Sequence, residues 1–232
     1  VHIPVSLLKN KKSILILGGG DGLAARELLK YPAVQTITIV DLDPAIVNLS
    51  KSHYALKTLN KGSLEHPKVT IYNQDAFKFL LKTSKQYDVI ISDLPDPTSP
   101  SLARLYSKEF YQLVSTRLKK EGIFVTQATS PLFAKSAFWC INRTLSKSGF
   151  DHVKSYHVYI PSFGDWGFVM ASEKEYFSDN VKVEVPTKFL STDIVSRLFI
   201  FSQDLQSNET EISTIDAPQI LKYYEQGWNK WN

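Results

Sequence analysis

The chain has 232 residues, of which 43% are hydrophobic, and this is enough to form a substantial core without disulfide or metal staples. A single cysteine, Cys140, excludes an intramolecular disulfide framework and a cysteine-based zinc site. The net charge of +4 is too small to indicate nucleic-acid binding, and no apolar run is long enough to cross a bilayer. The first residue is Val1 and the single methionine is Met170, so we expect the sequence to be part of a longer protein.

Short β-rich runs alternate with longer helical stretches over residues 1–172, which is typical of βαβ units and a parallel sheet. The predicted strands are Ser13–Leu17, Thr36–Val40, Val69–Tyr72, Tyr87–Ser92, Ile123–Thr126, Val153–Ile160 and Trp166–Ala171. Helices are predicted over Leu23–Tyr31, Pro44–Leu59, Ala76–Leu81, Ser107–Leu118 and Phe133–Ser148. The pattern predicts an α/β fold with a Rossmann-like, methyltransferase-type, doubly wound sheet that is mostly parallel and has an antiparallel edge.

The composition becomes more polar after residue 172. Residues 202–213 have the composition of a solvated loop, and a short helix is predicted near Gln219–Glu225. We therefore divide the chain into a domain over residues 1–172 and a C-terminal extension over residues 173–232 that packs on it.

Ligands of open α/β sheets bind beyond the carboxyl ends of the strands, and a glycine loop, GGGDG, follows the first strand here. Gly18, Gly20 and Gly22 allow backbone N–H groups to approach a ligand closely. Asp41 ends the second strand, close to the offset of about 20 residues at which an acid binds ribose hydroxyls. Asp75 follows the third strand and can accept a hydrogen bond from an adenine amino group or cap the next helix. Together these residues favour an adenosine-containing ligand.

Asp21 is an unusual residue to find inside such a loop. The start of a helix attracts anions, so an aspartate here is a poor neighbour for a phosphate or a carboxylate. It favours a ligand that carries an amine and lacks a carboxylate. The alternative is that the Asp21 side chain only caps the helix.

The segment DLPDPTSP after the fourth strand is too rich in proline for regular structure, so it is predicted to be a loop at the sheet edge. Its prolines hold two carboxylates, Asp93 and Asp96, near each other. A primary amine is protonated at pH 7 and must lose a proton before it can attack a carbon atom. A carboxylate in a partly desolvated pocket can orient the ammonium group and accept that proton.

These motifs together resemble the spermidine synthase family of polyamine aminopropyltransferases over essentially the whole chain. The matching segments are GGGDG with Arg26 and Glu27, VDLDP (40–44), QDA (74–76), SDLPDP (92–97) with LYSKEFY (105–111), and PSFGDWGF (161–168). The resemblance implies transfer of an aminopropyl group from decarboxylated S-adenosylmethionine to putrescine or a related polyamine, which leaves methylthioadenosine. It implies no metal and no tightly bound cofactor, because the sulfonium donor is itself an activated co-substrate.

The resemblance also implies roles for individual residues. Asp93 is the general base, Asp21 holds the amine of the donor, and Asp41 holds the ribose hydroxyls. Asp75 and Ala76 hold adenine. Asp96 helps to bind the acceptor amine.

The chain departs from the family pattern at two places. Family members carry a small β-domain and a tyrosine-containing segment upstream of the glycine loop, and without them this chain alone can lack activity. Soluble members have a tyrosine before Pro-Ser, whereas this chain has Ile160 at that position. The loop that follows is longer and contains Trp166, which we take as a further substrate-binding residue. In this respect it resembles thermospermine synthases and a bacterial subgroup whose synthase domain follows transmembrane helices. That likeness predicts a cytoplasmic domain of a membrane-anchored protein, and the family predicts a homo-oligomer.

Two other functions are compatible with the motifs. One is an S-adenosylmethionine-dependent methyltransferase, which shares the sheet, the glycine loop and the ribose acid; Asp21 distinguishes the two. The other is a polyamine-binding module without catalysis. The histidines show no metal-ligand spacing with Cys140. We therefore expect the histidines to be surface residues or residues with satisfied hydrogen bonds. For His157 the alternative is that it faces the pocket, because its predicted strand lies near the PSFGDWGF loop.

Overall fold

A computed structural model describes residues 1–176, 181–206 and 209–231. Seven strands form one sheet in the order β3-β2-β1-β4-β5-β7-β6. The strands are β1 (Ser13–Gly18), β2 (Thr36–Asp41), β3 (Val69–Asn73), β4 (Tyr87–Asp93), β5 (Leu118–Gln127), β6 (His152–Ile160) and β7 (Gly164–Ser172). The first five strands pair in parallel, and β7 pairs antiparallel with both β5 and β6. The predicted fold class is therefore confirmed.

The central strands are apolar on both faces because helices cover the sheet from both sides. Along β1, Ile14 and Ile16 face one layer while Leu15 and Leu17 face the other, and all four are fully buried. The helices are α1 (His2–Leu7), α2 (Leu23–Leu28), α3 (Pro44–Ser52), α4 (Tyr54–Asn60), α5 (Ala76–Lys82), α6 (Pro100–Ala103), α7 (Lys108–Thr116), α8 (Lys135–Ser146), α9 (Thr192–Val195) and α10 (Gln219–Trp228). None of the described helices is long and apolar enough to span a membrane.

Two local predictions are wrong, and one helix was not predicted. The helix predicted over Pro44–Leu59 is interrupted at His53, whose ψ of 124° is extended, so that α3 and α4 are separate helices. Helix α1 was not predicted. The proline-rich loop after β4 ends earlier than expected, because Ser99 accepts a hydrogen bond from the Leu102 N–H and Pro100 begins α6.

Residues after 172 pack on both faces of the sheet. Val181, Val185 and Val195 join the core on the α2 side, and Ile220 of α10 is buried on the α8 side. The loop predicted over residues 202–213 is wrong in part, because Thr210 and Ser213 are buried; residues 207–208 lie outside the described residues. The division of the chain at residue 172 stays a prediction.

His157 lies on the face of β6 opposite to its neighbour Tyr156. Its ring stacks on Phe201, its Nδ1 lies 2.7 Å from Asp165 Oδ1, and its Nε2 lies 2.8 Å from the Ile200 carbonyl oxygen. The hydrogen bond with Asp165 raises the pKa of His157 against the opposing effect of burial. The prediction of a histidine with satisfied hydrogen bonds is therefore confirmed for His157, and the alternative that it faces the ligand pocket is wrong. The residue connects residues 200–201 to the β6–β7 hairpin.

This pair gives a pH-dependent contribution to stability. Because the folded state raises the pKa of His157, the stabilisation is full below the ordinary value of 6.5 and is lost as the pH rises through the raised value. We expect Asp165→Asn to lower the free energy of unfolding by about 1 kcal/mol at acidic pH and by less in alkaline buffer. Urea unfolding at both pH values measures this. Asp151→Asn, which removes an exposed carboxylate just before β6, is the control, and an equal loss at both pH values would contradict the prediction.

Candidate functional site

The carboxyl ends of the parallel strands carry the aspartates singled out in the sequence. Asp41 ends β2 and Asp93 ends β4, while Asp21 and Asp75 lie in the turns that follow β1 and β3. The register pairs Gly18 of β1 with Asp93 of β4, so the glycine loop and the candidate base are neighbours. Asp96 follows in the loop after β4. The structure therefore brings all five carboxylates to one edge of the sheet.

The glycine loop needs glycine for reasons of space as well as conformation. Gly18 has a φ of +86°, and a Cβ atom there would lie 2.0 Å from the Asp93 carbonyl oxygen. A Cβ atom on Gly20 would lie 2.6 Å from Asp41 Oδ2. Gly22 caps α2 in the left-handed conformation. The loop therefore packs directly against the ends of β2 and β4, and a side chain at Gly18 or Gly20 would collide with them.

Asp21 and Asp41 differ in how they are held. One Asp21 oxygen accepts a hydrogen bond from the Leu23 N–H at 2.9 Å, so the predicted capping role is present. Asp41 accepts hydrogen bonds from the Gly20 and Asp43 N–H groups, one on each oxygen, at 2.8 and 2.9 Å. Each carboxylate oxygen has more than one lone pair, so these contacts fix both groups while leaving them able to accept further hydrogen bonds.

Asp75 is the N-cap of α5, as one of its two predicted roles requires, with Oδ1 accepting from the Lys78 N–H at 2.9 Å. Its other oxygen is ion-paired with Arg104, which lies just after α6. The Arg104 guanidinium also lies over the Phe77 ring, 5.8 Å from the centroid. Ala76, the first residue of α5, is buried beside this group. Asp75 is therefore fixed from two directions, by α5 and by the segment that follows the proline-rich loop.

Asp93 faces solvent in a concave site where protein surrounds most of its carboxylate. This burial raises its pKa, and the negative charge of Asp21 raises it further, with a smaller contribution from Asp41 in the same direction. Beside Asp93 is a cavity of about 270 Å³ whose apolar wall includes Ile91 and Tyr156. The site can therefore take a cationic group next to an apolar surface.

Asp96 lies in a cradle of hydrogen-bond donors. The Gln127 side-chain amide donates to Asp96 Oδ1 at 2.9 Å, and the Thr129 hydroxyl lies 3.4 Å from Oδ2. Burial raises the pKa of Tyr224 in α10, and the negative charge of Asp96 raises it further. Burial also raises the pKa of Asp96, because its effect exceeds that of the hydrogen bonds to the carboxylate. Because the hydrogen bonds only partly offset the effect of burial on the Asp96 pKa, a cationic partner would stabilise the ionised carboxylate further.

Trp166 lies near the start of β7, beyond the carboxyl edge of the sheet, on the same face as Phe168. Phe168 lines the cavity beside Asp93, whereas Trp166 packs against Phe163 with ring centroids 5.2 Å apart and does not line that cavity. Its predicted contact with substrate stays a prediction.

Four further residues in this region were not identified from the sequence. They are Arg104, Gln127, Thr129 and Tyr224. Gln127 could have been found, because it ends β5 and the carboxyl-end rule applies to it as it does to Asp93. Thr129 adopts a φ of +55°, which is strained for a threonine, and strain of this kind is concentrated at functional sites. Among the described residues, no group of three or more His, Cys, Asp or Glu side chains is arranged to hold a metal ion.

Comparison with known proteins identifies the family to which the chain belongs. The sequence model of the spermine/spermidine synthase domain matches residues 1–183. A polyamine aminopropyltransferase of Oceanobacillus iheyensis is 44% identical over all of this chain and 46% of its own length. Another from Leptospira interrogans is 41% identical over 99% of this chain and 46% of its own length. The chain thus spans about half the length of these curated relatives.

A solved spermidine synthase in complex with the transition-state analogue AdoDATO has a similar structure. It superposes with a TM-score of 0.80 and 26% identity, covering 88% of this chain and 73% of that protein. The match supports the doubly wound sheet. The chain therefore belongs to the spermine/spermidine synthase domain family.

Proposed function

We propose that this chain is the catalytic domain of a polyamine aminopropyltransferase. It would transfer an aminopropyl group from decarboxylated S-adenosylmethionine to putrescine or a related polyamine. The observation that carries this proposal is the pair of neighbouring carboxylates, Asp21 and Asp93, at the glycine loop, where burial and mutual repulsion raise the pKa of Asp93. A cationic ligand would offset both the burial of the Asp93 charge and its repulsion by Asp21, whereas an anionic ligand would add to the repulsion.

The donor would lie across the ends of β1 to β3. Asp41, held by the Gly20 N–H, would accept hydrogen bonds from the ribose hydroxyls. Asp75, fixed by Lys78 and Arg104, would accept one from the adenine amino group, next to Ala76. Gly18, Gly20 and Gly22 would allow close approach of the sulfonium end, and Asp21 would hold the donor amine.

The reaction needs an amine that has lost a proton and an attack in line with the C–S bond. Asp93 would accept the proton from the acceptor ammonium, and the nitrogen lone pair would form the new C–N bond at the methylene carbon of the aminopropyl group. The electron pair of the breaking C–S bond would return to sulfur and give methylthioadenosine. Asp96 would bind the second ammonium group of the acceptor, and Trp166 would contact the substrate from the β6–β7 hairpin.

The proposal also extends to the oligomeric state and the location of the longer protein. The relatives named above are polyamine aminopropyltransferases, and the solved spermidine synthase binds a transition-state analogue. By the sequence likeness, the longer protein would be a homo-oligomer anchored in a membrane, with this domain in the cytoplasm.

A donor and acceptor screen tests the proposal. The protein expressed from its complete coding sequence is incubated with either decarboxylated S-adenosylmethionine or S-adenosylmethionine. Each donor is combined with putrescine, spermidine and other diamines, and products are identified by mass spectrometry. We expect methylthioadenosine together with a polyamine enlarged by one aminopropyl group. Methyl transfer from S-adenosylmethionine would instead indicate a methyltransferase, and amine binding without product would indicate a binding module. Reactions without acceptor provide the control.

A further inference from the structure

Arg104 makes three contacts that join two parts of the ligand edge. Its Nη2 atom is ion-paired with Asp75 Oδ2 at the start of α5. Its Nε atom donates a hydrogen bond to the Ser101 carbonyl oxygen of α6 at 3.1 Å. Its guanidinium lies over the Phe77 ring, 5.8 Å from the centroid. A single side chain therefore connects the N-cap of α5 to the helix that follows the proline-rich loop.

The guanidinium of Arg104 rests on a fixed surface. Phe77, which lies beneath it, packs on the fully buried Phe110 of α7 with ring centroids 5.7 Å apart. A guanidinium is planar and holds its donors in a rigid fork, so its Nε and Nη2 atoms can serve two acceptors at once. The ring below, the acceptor in α6 and the carboxylate in α5 together hold the Arg104 head group in one orientation.

The orientation of the Asp75 carboxylate depends on Arg104. Asp75 Oδ1 accepts a hydrogen bond from the Lys78 N–H, and this contact alone leaves Oδ2 able to swing about the bond between Cβ and Cγ. In the described part of the chain, Arg104 is the one side chain that donates to Oδ2. The Asp75 side chain is only 15% exposed, so water solvates its charge poorly and the guanidinium also supplies the counter-charge.

We propose that Arg104 is a positioning residue that orients Asp75 toward the exocyclic amino group of the adenine base. This inference rests on the proposed function, in which Asp75 accepts a hydrogen bond from that group. It makes the segment after the proline-rich loop a part of the donor site. Loss of Arg104 should therefore weaken recognition of the amino group and leave the ribose contacts through Asp41 unchanged.

Isothermal titration of the protein with its complete chain tests this inference with two ligands. One is methylthioadenosine, and the other is its deamino analogue, in which a hydrogen atom replaces the exocyclic amino group. We expect Arg104→Ala to lower the affinity for methylthioadenosine about 3- to 10-fold, because Asp75 is then no longer held in its bound orientation. The affinity for the analogue should change by less than about twofold, because the analogue offers no donor to Asp75.

Arg117→Ala is the matched control. Arg117 is also half-buried and also holds α5, but its Nε atom donates to the Leu80 carbonyl oxygen, at 3.0 Å, near the other end of that helix. The control should change the affinities for the two ligands equally or not at all. Arg104→Lys, a second variant, keeps a positive charge but loses the fork, so it should give a smaller change of the same kind as Arg104→Ala.

A second comparison uses Asp75→Asn, which can still cap α5 through its side-chain oxygen but no longer forms an ion pair with Arg104. In this background, Arg104→Ala should cause no further loss of affinity for methylthioadenosine, because the arginine acts only through the carboxylate. A further loss as large as that in the wild-type background would show that Arg104 acts independently of Asp75 and would overturn the inference.

The outcomes separate the inference from the proposed function. If the wild-type protein does not bind methylthioadenosine, the donor assignment is overturned and the inference with it. If the wild-type protein transfers aminopropyl groups but both Arg104 variants weaken the two ligands equally or not at all, the inference alone is overturned. If it binds methylthioadenosine and transfers no aminopropyl group, the proposed function is overturned, and the ratio of the two affinities still decides the role of Arg104.

Discussion

Replacement of Asp93 by asparagine is expected to lower kcat for aminopropyl transfer by about 10²- to 10⁴-fold, because the acceptor ammonium then has no carboxylate to take its proton. The binding of donor should change little, since Asp41 and Asp75 remain. Product formation by mass spectrometry and titration calorimetry with methylthioadenosine measure the two effects. A loss of donor affinity as large as the loss of kcat would contradict the role of Asp93 as a base.

The pH dependence of kcat/KM gives a second test of the role of Asp93 as a base. Burial and Asp21 raise the pKa of Asp93, so the acidic limb of log kcat/KM for the wild-type protein should lie above the pH expected for an ordinary aspartate. The base acts when it is deprotonated, so activity falls as the pH decreases through that limb. Asp93→Asn should lose the limb, whereas Asp151→Asn, an exposed carboxylate before β6, should keep it.

We expect the substitution Asp93→Asn to lower the activity of the protein without lowering its stability. A carboxyl group whose pKa is raised on folding destabilises the folded protein increasingly as the pH rises above the unfolded value of 3.8 and through the raised value. At neutral pH Asp93 is ionised, so this destabilisation of the folded protein is fully present. We therefore expect the midpoint of thermal unfolding of Asp93→Asn to be equal to or above that of the wild-type protein, as occurs where a functional site is retained at the expense of stability.

The positions of the candidate carboxylates could be predicted because they depend on local signals. A buried β run ends, a glycine turn or a helix cap follows, and the parallel arrangement brings every such end to one edge. Asp41 and Asp93 are strand-terminal residues, and Asp21 lies in the only GGGDG segment of the sequence. Gln127 satisfies the same rule and was missed because an amide is a less conspicuous ligand than a carboxylate.

The remaining features depend on contacts between residues far apart in the chain. The ion pair of Arg104 with Asp75 follows from the path of the segment after the proline-rich loop, which periodicity does not determine. The packing of α10 on α8 is also a long-range contact, although the local pattern of α10 predicts only an amphipathic helix. The break at His53 carries no proline or glycine signal, and nothing in the structure explains it, because Ser52, His53 and Tyr54 are all exposed.

Asp21→Asn is expected to remove most of the preference for the decarboxylated donor. A hydrogen bond to a charged group contributes about 1.5–3 kcal/mol, so affinity for decarboxylated S-adenosylmethionine should fall about 10- to 100-fold. Affinity for S-adenosylmethionine should stay constant or rise, because its carboxylate no longer meets a negative charge. Isothermal titration with both donors measures the ratio of the two dissociation constants.

Asparagine at this position separates the two roles of Asp21. Its side-chain oxygen can still accept the hydrogen bond from the Leu23 N–H, so a residue that only caps α2 would tolerate the change. Asp43→Asn is the matched control, because Asp43 caps α3 at the same edge through the Ala45 N–H and asparagine is an equally good cap. If both variants keep the wild-type ratio of donor affinities, Asp21 is a capping residue and donor selection lies elsewhere. If Asp21→Asn alone shifts the ratio, a carboxylate in a glycine loop, where anions usually bind, is what selects a donor without a carboxylate.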